Sequence, residues 1–257
     1  MSFDNSQLKP RKFGDILTET FNVYGGNFIK IVAIVTFVMV PLGLLNLVLE
    51  LNGFPSDNDD GITIMLVIGW ITFGVLCLIL YPLMGGSLIH SISKQSLSLP
   101  ISIGESYSFA WKKIGTLVGA TIIAAILLSA MSITIILIPL AIYFAIRWVF
   151  IEQIIVMEDC AVGDAFSRSS TLVKKNWWRI FAVLIVIFII VIAINLTMGM
   201  IPIIGPIISL ILATPVMIIA TTLLYYDIRL KKEDYNLETM AKELEISYGV
   251  SLTEIDY

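Results

Sequence analysis

Long apolar runs separated by short polar segments dominate the chain. Runs of roughly 20 apolar residues are long enough to cross the hydrocarbon core of a bilayer as helices. The runs predict six such helices, at 28–49, at 62–92, two within 114–157, at 178–198 and at 207–226. A membrane β-barrel would instead show alternating segments of about ten residues, and none is visible. We therefore expect an all-α, polytopic transmembrane bundle of six helices.

The turn between the third and fourth helices has two candidate positions. It falls either at Ser129–Ser132 or at Leu137–Pro139, and the pattern does not choose between them. The choice affects Arg147, which lies further along the same apolar run. An early turn would leave Arg147 in the cytoplasmic third of its helix, and a late turn would place it near the middle.

Three polar segments between the runs have the pattern of short amphipathic helices, and they occupy residues 13–24, 103–114 and 162–174. Each opens with a glycine followed by an acid, at Gly14-Asp15, Gly104-Glu105 and Gly163-Asp164. An acid in the first turn lies near the positive end of the helix dipole and favours a helix start there. We expect these helices to lie in the membrane interface.

The recurrence of these segments before apolar pairs predicts an internal repeat. Three copies of interfacial helix plus transmembrane hairpin would cover about 13–93, 103–158 and 162–230. The alternative is that multi-span proteins use such helices at their cytoplasmic face without any repeat. Either way, residues 1–230 form a single membrane domain, and residues 231–257 form an acidic cytoplasmic tail.

Basic residues are confined to a few parts of the chain. Apart from Lys30, they occur in the N-terminus, in 94–113, in 147–179 and in the tail from Arg229. The predicted loops at 52–61, near 130–138 and at 199–206 contain none. Because basic loops stay in the cytoplasm, this distribution predicts a multi-pass protein of the cell (inner, cytoplasmic) membrane with both termini in the cytoplasm.

Composition excludes most other classes of protein. The chain is 58% hydrophobic and 14% charged, with a mean hydropathy of +0.93, far from the balance of soluble domains. His90 is the only histidine, and Cys77 and Cys160 have no spacing for a disulfide or a metal site. No catalytic or nucleotide-binding motif is present. We expect no enzyme, no cofactor, no metal and no nucleic-acid partner.

Two charged residues, Arg147 and Glu152, interrupt the apolar run of the fourth helix. An ionised group deep in hydrocarbon costs about 2.5–3.5 kcal/mol, so it faces a partner or a hydrated cavity. His90 follows Pro82 by eight positions, as Arg147 follows Pro139, and this spacing predicts a polar ring at one level of the bundle. Kinks at the prolines would shape a cavity there.

Asp227 is the fourth candidate residue, and it belongs to the sequence YYDIRLKK. Its position favours the membrane interface, with Tyr225 and Tyr226 in the aromatic belt. An alternative makes Asp227 or Glu152 the buried ion-pair partner of Arg147. The lysines and arginines at 112–113 and 174–179 stand beside points of membrane entry, where they suit anionic lipid headgroups.

Several short motifs carry a family resemblance. They are Leu8-Lys9-Pro10-Arg11-Lys12-Phe13-Gly14-Asp15-Ile16-Leu17, Arg147-Trp148, Glu152, Glu158, Gly163-Asp164-Ala165-Phe166, Ser169, Trp177, Leu224-Tyr225-Tyr226-Asp227-Ile228-Arg229 and Leu237-Glu238. In this order they resemble the membrane domain associated with some glycerophosphodiester phosphodiesterases, and related stand-alone bacterial and archaeal membrane proteins. The catalytic barrel of those enzymes takes about 200–250 residues, which the tail is too short to hold. The resemblance therefore implies a membrane module and no catalytic residue.

These observations together favour a non-enzymatic, transport-related or accessory module that handles a lipid or a peptide. Its expected partners are the bilayer with its anionic headgroups and another membrane protein, such as an ABC transporter component. The alternative is a scaffold or immunity-type protein that binds other membrane proteins. A lipid-acting enzyme is the third hypothesis.

The predicted orientation is tested by cysteine labelling in a variant that lacks Cys77 and Cys160. Asp59→Cys should react with an impermeant maleimide added outside the cell, because the 52–61 loop faces outward. Reaction of Asp59→Cys from the inside only would reverse the whole orientation.

Overall fold

The computed structural model describes residues 12–52, 60–202 and 204–233, together with Thr239 and Glu243. Within these residues the chain forms ten α-helices and one 3-10 helix, and no strand. The acidic loop at 53–59, the motif at 8–11 and most of the predicted tail lie outside the described residues.

The helices follow one another with short connections. In chain order they are α1 (Phe13–Gly26), α2 (Phe28–Leu51), α3 (Asp60–Ser96), α4 (Ile103–Lys112), α5 (Ile114–Ser132), the 3-10 helix (Ile135–Leu137), α6 (Ile138–Arg147), α7 (Ile151–Glu158), α8 (Val162–Val173), α9 (Trp177–Gly199) and α10 (Gly205–Glu233).

Six segments of the described chain are long and apolar enough to cross a membrane. Five are the single helices α2, α3, α5, α9 and α10, and the fourth span combines the 3-10 helix with α6 and α7. The predicted all-α bundle of six spans is confirmed. The protein is thus a multi-pass integral membrane protein.

The turn between the third and fourth spans follows Ser132, directly after the earlier of the two predicted positions. Pro139 lies in the first turn of α6, where its missing N–H leaves no helical bond unmade. Arg147 lies about midway along the fourth span, because that span continues to Glu158. The depth of Arg147 in the membrane stays a prediction.

The short helices α1, α4 and α8 form at the three glycine–acid segments. On two of these helices, a tyrosine hydroxyl donates a hydrogen bond to a backbone carbonyl of a long helix. Tyr24 of α1 reaches Leu212 at 3.3 Å, and Tyr107 of α4 reaches Ile34 at 2.6 Å. Their location in the membrane interface and the threefold repeat stay predictions.

The most buried part of the molecule lies where the C-terminal halves of α3 and α10 meet α7. The side chains of Leu88, Ile154 and Leu224 have no exposed surface there. A contact of 2.5 Å joins the hydroxyls of Ser93 and Tyr226 across this core. This packing leaves the N-terminal half of α3 as the part of that helix that is largely exposed.

Tyr225 and Tyr226 do not form an aromatic belt, so that prediction is wrong. Both rings are completely buried, and the Tyr225 hydroxyl donates to Glu158 at 2.8 Å. The helix continues beyond them to Glu233, and other elements of the protein cover the rings that the sequence pattern assigned to the lipid interface.

Charged residues at the ends of α7 and α10 form a cluster around Arg229. Its guanidinium contacts Glu243 at 2.8 Å and Glu233 at 3.1 Å, and it donates to the Tyr225 hydroxyl at 3.0 Å. Arg168 of α8 joins the same group through Glu158 at 2.8 Å. The cluster therefore ties α7, α8 and α10 together.

Replacing Arg229 should destabilise the fold. Arg229→Met removes the cation that Glu233 and Glu243 contact. It leaves Arg168 as the described cation of Glu158 and Glu233. Removing one partner of a buried ion pair costs about 3–5 kcal/mol, and the remaining Arg168 contacts should reduce this loss. Thermal unfolding in detergent measures the loss. Lys112→Met is the control, because Lys112 is exposed. Equal unfolding temperatures for the two variants would contradict a stabilising role for the cluster.

Candidate anion-binding site

The fourth span is not a continuous helix. α6 ends at Arg147, α7 begins at Ile151, and residues 148–150 form turns between them. None of these three residues is proline or glycine. Pro41, Pro82 and Pro215 lie inside continuous helices instead. The positions of the prolines therefore do not predict this interruption.

The hydroxyl of Ser169 on α8 satisfies the backbone at this interruption. It donates to the carbonyl of Arg147 at 2.8 Å and accepts from the N–H of Phe150 at 3.3 Å. Ser169 is completely buried. Since unpaired backbone groups are costly inside a membrane protein, one side chain from another helix makes the break tolerable.

The interruption places Arg147 at the C-terminal end of α6, and its guanidinium lies against aromatic rings. The guanidinium carbon is 5.6 Å from the ring centre of Tyr143 and 5.8 Å from that of Phe144. Its Nε is buried and has no hydrogen-bond partner within the described part of the chain. Among the described residues, no carboxylate lies within ion-pairing distance of Arg147.

A cavity of about 560 Å³ opens beside this arginine. We call it the cationic pocket, and its lining consists of Tyr143, Arg147, Lys174, Lys175, Asn176, Trp177, Trp178 and Arg179. Four of the eight residues are cations, and none is an acid. The volume falls in the range of about 300–1,000 Å³ that is typical of small-molecule sites.

Aromatic packing fixes the two walls of the cationic pocket relative to each other. The rings of Tyr143 on α6 and Trp177 on α9 are stacked with their centres 5.9 Å apart. The Trp177 indole N–H also points to the carbonyl of Tyr143, at 3.4 Å. Trp177 in turn stacks on Phe181 at 5.1 Å. The start of α9 is thereby held against the end of α6.

Arg179 differs from the other cations of the cationic pocket because it has an acidic partner. Its Nη1 lies 2.6 Å from Oδ2 of Asp227, and the Lys231 ammonium lies 2.9 Å from the same oxygen. Asp227 is completely buried. Among the described residues, one carboxylate at the edge of the cationic pocket is thus shared between two cations.

Lys174 and Lys175 occupy the connector between α8 and α9 and are exposed. Neither forms an ion pair with a described carboxylate. The Lys232 ammonium holds this connector by donating to the carbonyls of Thr171 and Leu172, at 3.0 and 2.8 Å. These bonds occupy carbonyls near the end of α8 that have no helical partner.

Arg147 and Asp227 belong to this region, but they do not pair with each other. Glu152 lies elsewhere, on the face of α7 that meets α3. A Cβ placed on Gly85 would come within 2.8 Å of its Oε2, so the missing side chain of Gly85 makes room for the carboxyl group. The nearby Gln153 amide donates to Thr221 at 3.0 Å. Glu152 is therefore not the ion-pair partner of Arg147.

His90 is also separate from the cationic pocket. Its Nδ1 is 3.2 Å from the Ser106 hydroxyl, and its ring stacks on Phe109 with centres 4.5 Å apart. Both partners belong to α4. His90 does not line the cationic pocket, and the ring of polar residues at one level of the bundle stays a prediction.

Lys113 shows that a basic residue near a membrane entry point need not face lipid. Its ammonium donates to the carbonyls of Ile155 and Val156, at 3.2 and 2.9 Å, and pairs with Asp159 at 3.0 Å. Lys113 thus caps the C-terminal end of α7. The lysines of the cationic pocket have no such bonds to backbone carbonyls among the described residues.

A family model described as "Domain of unknown function (DUF7847)" matches residues 63–226, well over half of the chain. The chain belongs to this family. The DUF7847 match runs from the second span into the sixth, so it includes the interrupted helix and the whole lining of the cationic pocket. No curated protein and no solved structure matches the chain. The resemblance to phosphodiesterase-associated membrane domains stays a prediction.

Removing the Ser169 hydroxyl should loosen the interrupted helix. Ser169→Ala leaves the Arg147 carbonyl and the Phe150 N–H unpaired, and a buried unsatisfied group costs about 1–3 kcal/mol. Thermal unfolding in detergent should show a clear decrease.

The neighbouring Ser170 supplies the matched control. It is half-buried, and no side-chain hydrogen bond is observed for it among the described residues. An equal loss in Ser169→Ala and Ser170→Ala would show that the hydroxyl is not what stabilises the interruption.

Proposed function

We propose that this membrane protein is a non-enzymatic, transport-related module that binds an anionic lipid headgroup in the cationic pocket. The observation that supports this proposal most strongly is the environment of Arg147. Arg147 is a permanently charged side chain in an interrupted span, without an acidic partner among the described residues, and it opens into a cavity with three further cations. A bound anion would supply the charge and the acceptors that the protein does not.

The chemistry of the lining favours a phosphate group. Guanidinium groups bind phosphate oxygens through pairs of charge-assisted hydrogen bonds, and lysine ammonium groups add compact positive charge. Asn176 contributes an amide that both donates and accepts. The lining contains no carboxylate, histidine or cysteine, so binding rather than general acid–base chemistry is what these residues support.

The surroundings of the cationic pocket favour a lipid over a soluble anion. Trp178 is 76% exposed and stands at the start of the fifth span, and Ile185 and Phe188 further along α9 are exposed apolar side chains. An acyl chain could follow that apolar surface while the headgroup occupies the cations. Basic pockets between membrane helices bind anionic headgroups in this way.

The interrupted helix supports a role in transport. Irregular backbone at membrane depth is tolerated where it is buried in protein or lines a cavity, and discontinuous helices form the binding sites of many transporters. Here the break and the cationic pocket share Arg147. A transport partner, such as an ABC transporter component, belongs to this proposal, while no observed feature favours the scaffold or the lipid-acting enzyme.

Arg147→Leu should abolish lipid binding and leave folding largely intact. The change removes the anion-binding group but strands no described carboxylate. The measurement is the titration of purified protein in a neutral detergent with a short-chain phosphatidylglycerol, followed by thermal unfolding. Lys112→Leu, which removes an exposed cation outside the cationic pocket, should bind as the natural protein does.

Two results would contradict the proposal. Unchanged affinity in Arg147→Leu would remove Arg147 from the binding site. A large fall in unfolding temperature that a second change, Asp227→Asn, reverses would show that Arg147 serves as a structural ion-pair partner.

A further inference from the structure

The charge of the cationic pocket exceeds what one singly charged headgroup needs. Arg147, Lys174, Lys175 and Arg179 contribute four positive charges. Asp227 lies outside the lining, and its carboxylate contacts Arg179 and Lys231. It therefore does not neutralise the other three cations.

These cations come from two separate parts of the chain. Arg147 ends α6, while Lys174, Lys175 and Arg179 belong to the α8–α9 connector and the first turn of α9. The stacked rings of Tyr143 and Trp177 hold the two parts together. A ligand in the cationic pocket thus meets positive charge from both sides.

The size of the cationic pocket also suits a group larger than one bare phosphate. Its volume of about 560 Å³ corresponds to roughly 19 liquid waters at about 30 Å³ each. A headgroup therefore enters with some of its water or with a second phosphate group. Both options are compatible with a doubly charged ligand.

We propose that the cationic pocket selects lipids whose headgroup carries two negative charges, such as a phosphomonoester or a diphosphate, over singly charged phosphodiesters. This inference rests on the proposed function. A phosphomonoester loses its second proton near pH 6 and offers three terminal oxygens, whereas a phosphodiester keeps one charge and two free oxygens. The extra charge and oxygen match the surplus of donors.

The test compares lipids that differ in headgroup charge, using the full-length protein in a neutral detergent. Dioctanoyl phosphatidate should bind about tenfold tighter than dioctanoyl phosphatidylglycerol at about pH 8, because its additional charge and oxygen can accept a further charge-assisted hydrogen bond. The preference should shrink at about pH 5, where phosphatidate carries a single charge. No histidine, the residue whose ordinary pKa lies between about pH 5 and 8, lines the cationic pocket.

Lys175→Gln is the informative variant, because Lys175 is exposed and its loss should not affect folding. It should reduce the phosphatidate preference and leave phosphatidylglycerol binding less affected. Lys112→Gln should keep the full preference. If Lys175→Gln keeps the full preference for phosphatidate over phosphatidylglycerol, the cationic pocket does not recognise the second negative charge of the headgroup, and the inference is overturned.

The remaining outcomes separate this inference from the proposed function. Equal binding of phosphatidate and phosphatidylglycerol, with none of dioctanoyl phosphatidylcholine, would overturn charge selection and keep the anionic-lipid function. Equal binding of all three lipids would overturn both. Sodium pyrophosphate binding as tightly as phosphatidate would overturn the lipid as the source of the phosphate.

Discussion

The hydrogen bonds of the Ser169 hydroxyl are the interaction on which the functional region depends. They satisfy one donor and one acceptor where α6 gives way to α7, at Phe150 and Arg147. A helix that ran unbroken through this point would bond those groups internally and would turn the following side chains differently. The interruption instead ends α6 at Arg147, whose guanidinium lies in the same lining as the start of α9. One polar side chain on α8 thus bonds the backbone on both sides of the break between α6 and α7.

The described part of the molecule contains two contrasting clusters of charged side chains. At Arg229 every neighbouring acid is matched, and the cluster joins α10 to α7 and α8. Around Arg147, the lining of the cationic pocket contains three further cations and no acidic residue. Fully paired charges hold helices in place, whereas a surplus of one sign creates affinity for a ligand of the other sign. On the proposed function, arginine therefore serves structure at one site and ligand binding at the other.

The spans could be predicted from the sequence because lipid imposes a simple rule, an apolar helix of roughly 20 residues. Arg147 could be singled out because a charge in such a run is costly. The break itself could not be predicted, since Trp148, Val149 and Phe150 lack the proline or glycine that usually marks one. It depends on Ser169, a contact between residues 22 positions apart. Periodicity along one helix carries no information about such a contact.

The buried tyrosines also show that a sequence pattern alone does not reveal tertiary contacts. Tyr225 and Tyr226 have the composition of an interface belt, yet Glu158 and Ser93 bind their hydroxyls inside the protein. Likewise, Lys113 and Lys175 look alike in sequence, but only Lys113 caps the end of α7. Which basic residue remains available to a ligand is decided by tertiary packing.

Site-specific photocrosslinking in living cells tests the central claim most directly. A benzophenone amino acid placed at Asn176 lies in the lining of the cationic pocket, and one placed at Ile136, which is 89% exposed, reports on a side chain outside it. The account predicts that adducts at residue 176 are enriched in anionic phospholipid relative to those at residue 136, and that Arg147→Leu removes the enrichment. Adducts of the same lipid composition at both positions would contradict it.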